Sequence, residues 1–378
     1  MNSTDSGARS IEGRGNGEIL VVGGYGDVGA RVSERLAHRF PGRIVIGGRR
    51  RPAAETLADR IGHGTRAVQM DIGDPESVTA ALDGVETVAV CLDDPTGLVA
   101  AKAVERGLGY VDINADHRTM EASLRLHEQA LASGARAVLG IGLAPGVTNL
   151  MAAGVTRSVD DPTELVVGVH LSLYDEFGPQ ALEFMLEAAS RPFPEPRAGS
   201  TRLVLPYTGP RPVWFGSDVG FRKARWFPFP DQFGFIETLG VQSAATLIAL
   251  DPRWIDKIMA TLAGLRILRL AAQPGIRGAL AWLFMRLPGT ARPAPVQISA
   301  TAKGGASTAT VLLEVLGESQ ATADAVATAA SLIGEVEAGV WLPEQAFDTR
   351  TFLDRLTAES DMKLTWLEPG TNSAPTPG

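Results

Sequence analysis

Cysteine is nearly absent from this chain of 378 residues, where Cys91 stands alone. One thiol cannot close an intramolecular disulfide, and a zinc site built from several cysteines is excluded. Such sparing use of cysteine fits a reducing compartment, so a cytoplasmic protein is expected. Histidine is scarce as well, and His63, His127 and His170 show no ligand spacing, so no metal is expected. A basic excess is also lacking: 35 Lys and Arg against 43 Asp and Glu leave a formal net charge of −8. That balance gives no support to nucleic-acid binding, and none is expected. Missing too is an uninterrupted apolar run of membrane-spanning length, which takes about 20 residues. The longest apolar region, 255–287, is interrupted by Arg266, Arg269, Arg277 and Arg286 and split at Pro274-Gly275. It reads as two amphipathic helices that pack on a partner subunit or cover a site. A peripheral membrane contact is the other reading, because arginines flanking apolar faces also suit an interface. Residues 1–17 are polar and glycine-rich, without the apolar core of a secretory signal, and read as a disordered N-terminus or tag.

What is present is a strong alternation. The chain exceeds the length at which one hydrophobic core stops growing, so two domains are expected. From Glu18 to Gly142, short β-branched runs alternate with helical stretches. The strands expected are 19–22, 43–46, 67–71, 87–91, 110–113 and 137–141. Helices are expected over 27–38, 53–61, 76–82, 98–106 and 120–133. Short apolar strands separated by helices imply a parallel sheet covered on both faces. After Pro145 the texture changes. A strand over 165–174, a helix over 180–189, two antiparallel strands at 296–303 and 308–316 joined by Gly304-Gly305, and an amphipathic helix over 322–335 point to an α+β second domain. The fold class is therefore α/β, an N-terminal Rossmann-type doubly wound parallel sheet with a second α+β domain. The expected divisions are 18–146 for nucleotide binding, 147–337 for substrate and dimerisation, 338–366 returning to the first domain, and a disordered tail at 367–378.

Gly24-Tyr25-Gly26-Asp27-Val28-Gly29 is a G-x-G-x-x-G stretch placed just after a buried strand and at the start of a helix. In that setting Gly24 permits the tight turn, Gly26 lets the backbone approach a pyrophosphate, and Gly29 lets the helix close on the strand. The helix N-terminus then faces the phosphates. An NAD enzyme carries Asp or Glu about 20 residues on, for the ribose 2′-hydroxyl. Here that place reads Gly48-Arg49-Arg50-Arg51. Arginine suits a 2′-phosphate, which a carboxylate would repel, so NADP(H) is expected in preference to NAD(H). Asp71, at the end of the third strand, is a candidate for the adenine edge.

Ligands of doubly wound sheets lie at the carboxyl ends of the strands. The nicotinamide half of the cofactor should therefore meet the segments around Cys91, Asn114 and Pro145. Thr148 and Asn149 begin a helix whose start can hold a carboxylate or a carboxamide. Hydride transfer to a carbonyl or imine needs a proton donor. His117, Asp116, Tyr174, Asp175 and Lys223 are the candidates, and none is singled out by its surroundings in the sequence. Arg222-Lys223-Arg225-Trp226 is a basic cluster that fits either an acidic substrate or a solvated loop.

Together, Val21–Gly29, Gly48-Arg49-Arg50, Tyr110-Val111-Asp112, Gly142–Asn149 and Ala338–Glu344 resemble the saccharopine dehydrogenase-like oxidoreductases. The resemblance is specific over the first 150 residues and diffuse between about 165 and 316. It implies an NAD(P)-binding Rossmann domain, an inserted substrate domain that often dimerises, and a C-terminus returning to the first domain. It also implies reductive chemistry at an imine, so the expected function is NADPH-dependent reduction of a C=N or C=O bond in a small molecule. Two alternatives remain: enoyl reduction on a lipid-like substrate, drawn from the apolar 255–287 region, and a non-catalytic NADP(H)-binding regulator.

Overall fold

The computed structural model describes residues 17–172, 179–284, 286 and 295–367. Of the expected disordered ends at 1–17 and 367–378, all but Gly17 and Leu367 lie outside the described residues, as do the candidates Tyr174 and Asp175; Leu367 closes the final strand.

The first part of the chain runs β1 (Glu18–Val22), α1 (Asp27–Arg39), β2 (Ile44–Gly48), α2 (Arg51–Ile61), β3 (Arg66–Gln69), α3 (Pro75–Ala81), β4 (Val85–Val90), α4 (Leu98–Glu105), β5 (Gly109–Asp112), α5 (His117–Leu124), α6 (His127–Ser133) and β6 (Arg136–Val138). In β1, Ile19 and Val21 enter one core with Val32 and Leu36 of α1, while Leu20 and Val22 enter another with Val99 and Val104 of α4. Alternate side chains pointing to opposite faces, both covered, explain why this strand is apolar throughout. At the sheet's far edge β3 has no fully buried residue and carries Arg66 and Gln69 exposed. Helix α1 suits its ends, with Asp27 in the first turn and His38 and Arg39 in the last, which complements its dipole.

The chain continues through α7 (Val147–Arg157), β7 (Glu164–Ser172), α8 (Pro179–Ala188), the two-residue strands β8 (Phe193–Pro194) and β9 (Leu203–Val204), β10 (Arg211–Trp214), β11 (Phe221–Trp226), α9 (Asp231–Leu239), β12 (Ser243–Asp251), α10 (Arg253–Gly264), a 3₁₀ segment at Ile267–Ala272 and α11 (Pro274–Phe284). It ends with β13 (Val296–Gly304), β14 (Ser307–Val315), α12 (Glu318–Leu332), β15 (Gly339–Trp341), α13 (Pro343–Ala346), α14 (Thr349–Ala358) and β16 (Lys363–Leu367).

Two large sheets result. The first has the order β3-β2-β1-β4-β5-β6-β15, with every pairing parallel. Its order reverses between β1 and β4, which sets the ligand crevice at the ends of those strands. The second is mixed, with the order β10-β11-β12-β7-β13-β14-β16, and its parallel centre is β7 beside β12. The α/β architecture is thus a Rossmann-type sheet joined to a second mixed-sheet unit.

Several expectations need correction. The single helix over 120–133 is two, α5 and α6, broken at Arg125-Leu126. Strand β12 was not foreseen: its Ser-Ala-Ala-Thr-Leu-Ile-Ala-Leu-Asp sequence is poor in β-branched residues, and burial between neighbours overrides propensity. The hairpin turn falls on Gly305-Ala306, because Gly304 and Ser307 are still paired. The helix expected to be amphipathic near 322–335 is α12, and it is buried almost all round, from Ala323 through Ala330. Its alanines let it pack against α1, α14 and the strands β4 and β5. Packing therefore does not divide the chain at residue 337. Helix α12 lies on the first sheet, β15 extends that sheet, and β16 crosses back to pair with β14 in the second.

Candidate functional site

At the end of β1 the chain turns through Gly23 and Gly24 into α1. A Cβ on Gly29 would collide with the Gly23 carbonyl, so only glycine allows α1 to close on the strand here. A Cβ on Gly26 would have one neighbour within reach, the Gly23 carbonyl at 3.2 Å, which leaves the loop's outer side clear for a ligand. Gly26 is the N-cap and makes no side-chain cap. The first N–H groups of α1 therefore lack a protein acceptor from their cap and suit phosphate oxygens. Asp27 does not intrude, because its carboxylate is tied to Arg31 one turn on, at 3.3 Å. Val28 packs inward against the core.

Tyr25 links this loop to the end of β2. Its ring lies so close to Gly48 that any side chain there would strike it. The hydroxyl accepts from the Arg50 backbone N–H at 3.1 Å, and the Arg50 guanidinium sits 5.2 Å from the ring centroid. The three consecutive arginines have different surroundings. Arg51 is committed to Glu55 at 2.7 Å in α2, whereas Arg49 and Arg50 are exposed at the strand end. Among the described residues, no ion pair engages Arg49 or Arg50. Asp71 is exposed beyond β3, and one of its carboxylate oxygens accepts from the Gly73 N–H at 3.0 Å.

The ends of β4 to β6 carry a denser polar group. Cys91 is buried, and burial pushes its thiol up to about 12, so it is an inert wall residue. Asp94 is buried and folds the following loop around itself, accepting from the N–H groups of Thr96, Gly97 and Val99. Asp112 ends β5 and accepts from the N–H groups of Gly140 at 2.7 Å and Asn114 at 3.1 Å, and from the Tyr110 hydroxyl at 3.0 Å. Burial outweighs these donors and raises Asp112 to about 6. Asn114 is buried and accepts from the Asp116 N–H at 2.8 Å.

Of the proposed proton donors, Asp116 caps α5 by accepting from the Thr119 N–H. His117 follows it, half-exposed, 3.3 Å from Glu121, with its ring centroid 4.5 Å from that of Phe233 in α9. It therefore faces the second unit. Asp93, which no motif singled out, stands close by. Partial burial first, and then the carboxylates of Asp116 and Asp94, hold it above the usual carboxylate range. Lys223 is exposed on β11, where it pairs with Pro212 in the outer hairpin of the second sheet. The basic cluster around it separates: Arg225 is buried on Asp256 at 2.6 Å, and Arg222 turns back to the Val219 carbonyl.

The Pro145 loop leads into α7 at the junction of the two units, after a cis Ala144–Pro145 bond. Both ends of the Asn149 side chain are engaged: its Oδ1 accepts from the Gly146 N–H at 2.9 Å, and its Nδ2 donates to Glu344 in α13 at 2.9 Å. Glu344 also accepts from Thr238 of α9 at 2.8 Å, and burial raises it above its usual range. Next to it, Asp231 accepts from Thr246 at 2.9 Å and from the Gln232 N–H at 2.7 Å. Its second oxygen faces the Thr148 hydroxyl without good hydrogen-bond geometry, and burial raises the carboxyl to about 6. Two buried carboxylates beside this helix start make it a poor receptor for an anionic group, though not for an amide. Sequence spacing gives no sign of Glu344 or Asp231, because their partners lie up to 195 residues away.

Comparison with known proteins matches this geometry. Residues 17–99 fit the KR domain family model. A stretch of 97 residues is 38% identical to the (4-alkanoyl-5-oxo-2,5-dihydrofuran-3-yl)methyl phosphate reductase of Streptomyces griseus, covering 25% of this chain and 32% of that protein. Another of 106 residues is 38% identical to polyketide synthase GfsA of Streptomyces halstedii, covering 24% of this chain and 1% of that one. The chain thus spans less than a third of the length of either relative. Over nearly its whole length it superposes on saccharopine dehydrogenase (L-Glu forming) from Saccharomyces cerevisiae, with a TM-score of 0.66 at 14% identity, covering 93% of this chain and 100% of that one. At that identity the likeness is one of fold. The chain has the architecture of saccharopine dehydrogenase, with a first domain of the NAD(P)-binding type.

Proposed function

We propose that the chain is an NADPH-dependent oxidoreductase that reduces the C=N or C=O bond of a small-molecule metabolite. The observation carrying this reading is the pair of strand ends joined by Tyr25: an open glycine loop at β1, and at β2 a basic turn where an NAD enzyme keeps a carboxylate. The N–H groups at the start of α1, with Gly24, Gly26 and Gly29, would hold the pyrophosphate. Arg49 and Arg50 would hold the 2′-phosphate through charged hydrogen bonds, with Asp71 beside the adenine. Cys91, Asn114 and Pro145 would line the nicotinamide half. Bound there, the cofactor supplies hydride. His117 or Asp93 would deliver the proton; both stand near the strand ends, His117 beside Phe233 of α9 and Asp93 with its carboxyl raised.

The test is NADPH oxidation by the full chain against cyclic imines, ketones and enoyl esters. Turnover of imines or ketones that drops at least tenfold in an Arg49→Ala, Arg50→Ala variant supports the reading. Turnover that is faster with NADH and indifferent to those arginines overturns the cofactor assignment. Preference for the enoyl esters would establish the second reading.

A further inference from the structure

Helix α10 carries two apolar stripes where packing needs one. Ile255, Met259 and Ala263 are buried toward β12. Trp254, Ile258 and Leu265, spaced four and seven residues apart, line another side and are 43%, 45% and 66% exposed. The 3₁₀ segment packs against α10, and α11 packs against the 3₁₀ segment and α8; they add Ile267, Leu270, Trp282 and Leu283, all of them exposed. Among the described residues, most of the exposed large apolar side chains are therefore gathered on these three neighbouring elements.

The charge around them is also distinctive. In a chain of net charge −8, residues 253–286 hold six cations, Arg253, Lys257, Arg266, Arg269, Arg277 and Arg286, and one carboxylate. That carboxylate, Asp256, is turned inward onto Arg225 and Tyr207. Arg277 is matched by Glu187 of α8 at 3.0 Å, and Arg286 lies 3.7 Å over the Trp282 ring. Among the described residues, Lys257, Arg266 and Arg269 have no ion pair. The layer thus presents tryptophan and leucine flanked by uncompensated cations.

We propose that this face seats the protein on the surface of an anionic membrane. Apolar side chains would enter the headgroup boundary, tryptophans would lie at its level, and the cations would meet lipid phosphates. No helix among the described residues is long and apolar enough to cross a membrane, so the contact is peripheral. Charge disfavours a second copy of the chain as the occupant, because a two-fold contact through this face would set its cations against themselves. The proposal is independent of the cofactor and substrate readings above.

Flotation of the full chain with vesicles tests it. At low salt the protein should float with vesicles of equal phosphatidylcholine and phosphatidylglycerol, and remain unbound with phosphatidylcholine alone. Leu265→Asp and Leu270→Asp replace exposed residues, so they should leave thermal stability unchanged while abolishing flotation. Arg266→Gln with Arg269→Gln should weaken partitioning roughly 25-fold, from about fivefold per cation near an anionic surface. Absence of binding to the anionic vesicles overturns the proposal. So does a light-scattering mass of a dimer that falls to a monomer in Leu265→Asp, which would assign the face to self-association.

Discussion

The two sheets handle their polar groups in opposite ways. At the carboxyl ends of β1 and β2, donors are left over: the start of α1 has no side-chain cap, and among the described residues the guanidinium groups of Arg49 and Arg50 have no ion pair. Inside the second unit most polar groups are paired within the protein, although at the junction the Thr148 hydroxyl and one oxygen of Asp231 lack a hydrogen bond. His170 on β7 meets Gln297 on β13 at 2.7 Å and lies 3.0 Å from Asp251 on β12. Arg225, Tyr207 and Asp256 close a buried triad. At the junction, Glu344 ties α13 to α7 and α9. Paired buried groups hold a structure together, whereas exposed donors at a strand end stay solvated and are free to take an anionic ligand. The difference supports the proposal that the cofactor binds at the first sheet, with the junction acting mainly as scaffold.

Breaking either side should have distinct effects. The largest is expected at Gly29. Gly29→Val forces α1 off β1, should cost about 3 kcal/mol or more in urea unfolding, and should remove any thermal shift on adding NADPH. Retained NADPH binding in a folded Gly29→Val protein would contradict the role given to the loop. Next is Glu344→Ala, which strands Asn149 and Thr238 in the interior. It should lower unfolding free energy by about 2–4 kcal/mol, while Glu344→Gln, which can accept from Asn149 and donate to the Thr238 hydroxyl once that turns to the Gly234 carbonyl, should lose less than half as much. Equal losses would mean that the negative charge, not the hydrogen bonding, holds the junction.

A smaller effect concerns pH. Burial raises Asp231 to about 6, so the folded protein keeps a proton between about pH 4 and 6 that the unfolded chain has released. The stability this group contributes is complete below about pH 4 and lost as pH rises through about 6. Asp231→Asn should therefore be stabilised relative to the parent at pH 7.5 by about 1–2 kcal/mol, with the gap closing toward pH 4. A gap that does not change with pH would show that Asp231 is ionised throughout.

The comparison also shows why one half of the molecule is more legible than the other. The glycine loop, its strand and its helix lie within one stretch of 22 residues, 18–39, so spacing alone exposes them, and the basic turn is read from what stands where a carboxylate is usual. The junction is built from residues 106 and 195 positions apart, Thr238 and Asn149 meeting Glu344, and no local period reports such pairs. Strand β12 escaped because alanines buried between long neighbours read as neutral, and α12 misled because its second buried side is created by packing that the sequence does not show. Asp93 was passed over because its raised proton affinity comes from burial and from Asp116 across the strand ends, not from its own neighbours in sequence alone.

The central claim is that the first sheet ends in a site for a dinucleotide bearing a 2′-phosphate. Calorimetric titration of the full chain with NADPH and with NADH tests it most directly. NADPH should bind at least tenfold tighter, and Arg49→Ala with Arg50→Ala should erase most of that margin while changing NADH affinity by less than about threefold. Equal affinities in the parent protein, or tighter binding of NADH, would contradict the account.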